Sequence, residues 1–292
     1  MDWVPLFFID DVCHQLPFEA FDQVSQLSGS WSTFCAEHRE KRREFGFFCR
    51  VDGMGSSYFI QDRRSAISMG VGLLVADLNS EFDRITLVWC SSPDQWTRVS
   101  LEELKRDVLP TVASLAANCG WFLKRIAGGA YNPIFFEAFK NCPGFNEITV
   151  KDQGQESRDF IARQVELGNV QGLNLYAGES GEWPEPDKLA ETFETFVNSP
   201  RFHILISHGS LPNDVDLLEL FLERALAGEL ELGACIALEN ITFAKSQRIS
   251  GLLPECRENS ERMVWRIPNS NRRVAVEQFN GIFCMKVGRI CI

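Results

Sequence analysis

Three short stretches decide how this chain folds: Phe145-Asn146-Glu147-Ile148-Thr149-Val150, Val170-Gln171-Gly172-Leu173-Asn174-Leu175 and Phe202-His203-Ile204-Leu205-Ile206. The first two share the spacing apolar-x-x-apolar-x-apolar, which also occurs as Phe82-x-x-Ile85-x-Leu87. The third reads as a looser copy, with Phe202, Ile204 and Ile206 in the apolar places. Alternation over so few positions predicts a strand with one buried face. Amphipathic stretches over 99–118, 133–141, 155–167, 186–198 and 212–227 lie between or beside them and predict helices. A further strand is expected at 121–126. The step from Ile148 to Leu173 is 25 residues, and from Leu173 to Ile204 it is 31. Strands and helices alternating at such steps predict an α/β fold. Two architectures satisfy the pattern: a stacked, irregular β-α repeat (a solenoid) and an ordinary parallel α/β sheet.

Upstream, Val4, Phe8, Val12 and Leu16 follow a four-residue rhythm that Ile9 and Cys13 widen, so 3–16 reads as a helix. Pro17 opens a second short helical segment that ends near Leu27. Ser28-Gly29-Ser30 breaks it, and a third helix runs from Trp31 to about Glu44, with Trp31, Phe34, Cys35 and His38 on one face. Residues 45–61 read as a hairpin about Asp52-Gly53-Met54-Gly55. Downstream, 263–268, 273–277 and 282–287 are strand candidates separated by Asn269-Ser270-Asn271 and Asn280-Gly281. A terminal β-meander of this kind would cover the open end of a repeat array. The expected division is therefore a helical unit at 1–44, a hairpin and linker at 45–80, a β-α repeat region at 81–260 and terminal strands at 261–292.

The 292 residues are 45% hydrophobic, enough to bury a sizeable core and to exclude global disorder. With 29 basic and 40 acidic side chains the net charge is −11, which argues against nucleic acid or an anionic membrane as partner. Ten cysteines are scattered singly, and residues 1–11 lack a basic segment and end in Asp10-Asp11. No run of about 20 apolar residues occurs. A cytoplasmic or nuclear protein with reduced, mostly buried thiols is expected. No Gly-x-Gly-x-x-Gly follows a strand, and neither a P-loop nor a Gly-x-Ser-x-Gly elbow is present, so no cofactor is expected. Cys35-x-x-His38 has the spacing of half a zinc site, but no second pair stands at a matching distance, and both residues read as core. His203 and His208 flank a strand end and Asp214 and Asp216 follow, the arrangement closest to a hydrolase site. Aromatic usage is lopsided, with 23 Phe against 3 Tyr.

Between Val4 and Trp31 stands an ungapped series: Val4-Pro5, then Phe8, Val12, Cys13 and Leu16, then Ala20-Phe21, then Leu27-Ser28-Gly29-Ser30-Trp31. This series resembles the F-box, whose pattern opens Leu-Pro-x-Glu, passes an Asp-Leu pair and closes Val-Ser-Lys-x-Trp. Phe7 stands where that family has Glu, Ala20 where it has Asp and Gly29 where it has Lys. The opening Met-Asp-x-Val-Pro-x-x-Phe and the closing Trp265-x-Ile267-Pro268 look like the nematode F-box-like and F-box-associated families. The strand spacing resembles a degenerate leucine-rich repeat, with Asp152, Ala177 and His208 near the places of its usual Asn or Cys.

The resemblance implies a three-helix F-box-like unit ahead of the repeats. It also implies a non-enzymatic role: substrate-recognition adaptor of a Skp–cullin–F-box ubiquitin ligase. A Skp-type adaptor and its cullin scaffold would meet Val4, Pro5, Leu6, Phe7, Phe8, Ile9, Val12, Leu16 and Trp31, and a target protein would meet the repeats. Helix periodicity is read to place Phe8 and Val12 inward, leaving Pro5, Leu6, Phe7, Ile9, Leu16 and Trp31 for the partner. The alternatives are a stand-alone repeat interaction module and a hydrolase-like enzyme using His203 and His208.

Overall fold

The structure is a computed structural model that describes residues 4–16, 20–27, 29–52, 55–62, 73–90, 97–116, 121–124, 132–142, 145–178, 183, 186–211, 213–239, 241, 262–267, 270–279 and 282–289. The strand candidate at 263–268 and the turns around 53, 269 and 280–281 lie partly outside those residues. The chain forms two compact units, Met1–Phe145 and Asn146–Ile292, each a mixed α/β arrangement. The boundary falls inside 81–260.

The first unit opens with α1 (Leu6–Gln15), α2 (Phe21–Val24) and α3 (Ser30–Lys41). α1 stops because Leu16 precedes Pro17 and is pushed to an extended ψ of 139°. α3 begins after Gly29, whose φ of 72° few other residues adopt without strain. The sheet of this unit has the order β5-β3-β1-β2-β4. β1 (Arg43–Asp52) and β2 (Gly55–Asp62) form the expected hairpin, and β4 (Thr97–Val99) adds to the far edge of β2. On its other side β1 runs parallel to β3 (Asp83–Cys90), and β3 runs parallel to β5 (Trp121–Lys124). Thus 45–52 is a hairpin arm and also a neighbour in the parallel ladder, a double role that local spacing does not reveal. A bulge between the pairs Phe45–Ile85 and Gly46–Leu87 turns Val88, not Leu87, into the core. The expected helix over 99–118 is α4 (Leu101–Glu103), a π-helical turn (Leu104–Val108) and α5 (Leu109–Leu115). Pro110 has no N–H to offer the carbonyl of Arg106, a physical reason for the widened turn just before it. α6 (Asn132–Phe139) packs Phe139 edge-on against Phe145, at 5.8 Å between ring centres.

The second unit runs β6 (Glu147–Lys151), α7 (Gln155–Glu166), β7 (Gly172–Tyr176), α8 (Pro186–Asn198), β8 (Ile204–His208), α9 (Asp214–Ala227), β9 (Cys235–Glu239), β10 (Arg262–Arg266), β11 (Arg272–Phe279) and β12 (Ile282–Arg289). Its strand order is β10-β11-β12-β9-β8-β7-β6. β6 to β9 are parallel neighbours in chain order, with no reversal. β12 pairs antiparallel with β9, and β11 and β10 follow.

Two cross-strand rows make the buried face: Ile148, Leu173, Leu205 and Ile236, then Val150, Leu175, Ser207 and Leu238. The register corrects the third stretch. Leu205 and Ser207 point inward, and Ile204 and Ile206 lie half-buried on the other face, since a one-residue slip exchanges faces. The same template therefore reads Phe202-x-x-Leu205-x-Ser207. β9 escapes the template because Gly233 occupies the place of Phe145, Val170 and Phe202. A Cβ there would lie 3.3 Å from His203 Cε1, and its φ of 94° disfavours any side chain. Phe202 sits among Phe196 and Phe221, at 5.2 and 6.0 Å between ring centres. Phenylalanine fills such sites without a hydroxyl that needs a buried partner. Among the described residues, no helix is long and apolar enough to cross a membrane.

Candidate functional site

α1 has a short apolar N-terminal turn and a polar, tightly bonded C-terminal half. Ile9 and Cys13, one turn apart, are 1% and 0% exposed and form a small core with Phe21 and Cys35. Val4, Leu16, Val24, Trp31 and Phe34 pack around it, partly buried. Ahead of this core the helix projects Pro5, Leu6, Phe7 and Phe8 into solvent, with Phe7 72% exposed. Helical rotation of about 100° per residue separates the two groups.

The expected surface is therefore corrected at two positions. Ile9 is core, because with Cys13 and Leu16 it completes the stripe facing α2 and α3. Phe8, expected inside, is 49% exposed because it lies one position off that stripe. Val12, Leu16 and Trp31 are only partly exposed. Of the nine sequence-derived residues, Pro5, Leu6, Phe7 and Phe8 form one continuous open turn.

The same helix carries a cluster that the spacing of its apolar residues does not announce. Asp10 Oδ1 accepts from His38 Nε2 at 2.8 Å, and Asp10 Oδ2 lies 3.3 Å from His14 Nε2. The two imidazoles meet edge to face at 4.6 Å. A visible signal was the Asp10/His14 spacing of one helical turn. Asp, His and His converging this closely could ligate a metal ion. Arg84 argues otherwise. Its guanidinium, a donor only, faces His14 Nδ1, so that nitrogen must accept and Nε2 must carry the proton. A metal on Nε2 would need the reverse tautomer, with an acceptor behind it. The cluster is best read as a hydrogen-bonded clamp between α1, α3 and β3. Burial and the Arg84 charge hold the His14 pKa below its ordinary value. Burial pushes Asp10 upward, but the His38 hydrogen bond and the imidazole charges outweigh it and hold its carboxyl low.

His203 and His208 do not come together. His203 stands just before β8 and His208 ends it, about 16 Å apart at the usual strand rise. His208 stacks on Tyr176 at 4.4 Å and its Nδ1 bonds Glu239 at 3.0 Å, at the carboxyl ends of β7, β8 and β9. Asp214 is turned to the start of α9, where its carboxylate accepts from the Val215 N–H. An open cleft beside α8 is lined by Val165, Glu191, Glu194, Thr195, Asn198 and Ser199, none of them a residue singled out in the sequence.

No protein-family model matches this chain, and no curated protein matches it. Among solved structures, it is similar to a MycE methyltransferase from the mycinamycin biosynthetic pathway in complex with Mg and SAH: 9% identity, covering 98% of this chain and 93% of that one, TM-score 0.26. A second structure of that methyltransferase, with Mg, SAH and mycinamycin VI, shares 8% identity over the same coverage, at a TM-score of 0.26. A likeness this low carries no argument about fold or chemistry.

Proposed function

We propose that the chain is a non-enzymatic, cytoplasmic or nuclear substrate-recognition adaptor of a Skp–cullin–F-box ubiquitin ligase. The observation that carries the reading is the exposed apolar turn Pro5-Leu6-Phe7-Phe8, presented by a small helical core built from Ile9, Cys13, Phe21 and Cys35. A contiguous apolar patch on a soluble surface marks a partner site. The resemblance over residues 4–34 names the partner as a Skp-type adaptor. Where the family has Glu, Phe7 offers apolar area, so contact here is driven by burial and not by charge. The unreversed order of β6 to β9, each followed by a helix or a cap, supports a leucine-rich-repeat-like stack as the target-binding part. The mechanism is proximity: one end holds the adaptor, the other a target protein, and the local concentration of ubiquitin-loaded enzyme rises.

Pull-down with a purified Skp-type adaptor tests this. The wild-type chain binds, and Pro5→Ala with Phe7→Asp weakens binding at least about tenfold while the circular dichroism is unchanged. Failure of the wild type to bind, where a known F-box protein does, overturns the reading in favour of a stand-alone interaction module.

A further inference from the structure

Two cysteine pairs stand at nearly equal sulfur separations, and their surroundings differ. Cys13 and Cys35 lie 3.7 Å apart and are 0% and 1% exposed. Cys235 and Cys284 lie 3.5 Å apart, diagonal neighbours across β9 and β12, and both are partly exposed. Cys235 stands opposite Lys286, and Cys284 stands between Ala237 on β9 and Glu277 on β11.

We propose that Cys235 and Cys284 are a peroxide-sensitive thiol pair that closes to a reversible disulfide. Either sulfur can take the first oxygen, since the two lie within reach of each other and both are partly exposed. The hydrogen bond between the thiols lowers the Cys284 pKa, burial and the Glu277 carboxylate oppose this, and the Lys286 ammonium aids it. Cys235 itself is pushed up, first by sharing its proton with Cys284 and then by burial. The Cys13 thiol is pushed up to about 12, chiefly by burial, and stays protonated. Thiolate fraction and access both favour the second pair.

The chemistry balances with hydrogen peroxide as oxidant. The thiolate of one cysteine attacks one peroxide oxygen, the O–O bond breaks, and the departing hydroxide takes a proton and leaves as water. That cysteine is then a sulfenic acid. The other cysteine loses its proton and attacks that sulfur. The S–S bond forms, the S–O bond breaks, and a second water leaves. Two thiols have lost two electrons and the peroxide has gained them. Diagonal Cα atoms in a sheet are about 7–8 Å apart, beyond the usual disulfide range of about 4.4–6.8 Å, so closure must draw β9 and β12 together locally, and the closed form is readily reduced. Closure would tie β12 covalently to the last parallel strand.

The test treats the full chain with hydrogen peroxide, then maps peptides by mass spectrometry. A cross-linked Cys235–Cys284 peptide should appear, lighter by two hydrogens and reversed by a thiol reductant. Its formation should be at least about tenfold faster than that of any Cys13–Cys35 cross-link. In Cys235→Ser and in Cys284→Ser the cross-link should be absent, and the remaining cysteine of the pair should accumulate as a sulfenic acid that dimedone traps. Equal oxidation of both pairs, or no Cys235–Cys284 cross-link while dimedone labels other sites, overturns the proposal. Both variants are conservative at half-buried positions, and circular dichroism checks that they fold.

Discussion

Asp10 joins three elements through one carboxylate: it accepts from His38 on α3, neighbours His14 on its own helix, and through His14 reaches Arg84 on β3. Its pH consequence has one sign. The His14 pKa is depressed below 6.5 in the folded chain, so the unfolded chain binds more protons in that window and stability falls as pH drops through it. Asp10, also depressed, adds a loss in the same direction below the ordinary carboxylate range. Thermal melts should therefore show a lower midpoint at about pH 5 than at about pH 7, and His14→Asn should flatten the upper part of that slope. A slope unchanged in the variant would place the titration elsewhere. Gly233 makes a second residue-scale prediction. Gly233→Ala must accept a positive φ beside His203 and should cost about 1–2 kcal/mol in denaturant unfolding. Gly233 is also the reason β9 is hard to see in the sequence, because glycine replaces the aromatic that opens β6 and β8.

At the scale of elements, α1 shows what periodicity can and cannot tell. The helix itself is legible from the spacing of Ile9, Cys13 and Leu16 and from Pro17. Which of two adjacent apolar stripes is buried is not, because Phe8–Val12 and Ile9–Cys13 are equally hydrophobic and differ only in what α2 and α3 bring against them. Ile9→Ala should cost about 2–4 kcal/mol, and Phe7→Asp should stay within about 0.5 kcal/mol, both read by chemical denaturation. The opposite ranking would mean that the helix is rotated on its core. β8 repeats the lesson. Ile204 and Ile206 look like the core pair because they are isoleucines, yet Leu205 and Ser207 face the helices. Ser207 is kept there by a local bond from its hydroxyl to the Gly209 carbonyl, 3.0 Å long. Phe202→Ala, removing a ring held between α8 and α9, should cost about 3–5 kcal/mol in the same assay.

At the scale of the molecule, the antiparallel run β12-β11-β10 covers what would be the open edge of β9. Unpaired edges template aggregation. A chain truncated before Arg262 should form soluble aggregates or precipitate where the full chain stays monodisperse in size-exclusion chromatography; a monodisperse truncation would show that β9 is protected by other means. The alternation of strand and helix, and hence the α/β class, was legible from residues 82 to 227, as were the three terminal strands and the hairpin at β1–β2. These follow from periodicities carried by neighbours in the chain, which local geometry imposes. The sequence also marked α1 as apolar beyond what one face can bury. Only the tertiary structure decided which residues that surplus consists of, that β1 joins the parallel ladder of β3, that His203 and His208 part company at the two ends of β8, and that Asp10, His14, His38 and Arg84 meet. Each of these depends on partners tens of residues away, whose approach is settled by packing of the whole unit and leaves no periodic mark on the segment itself.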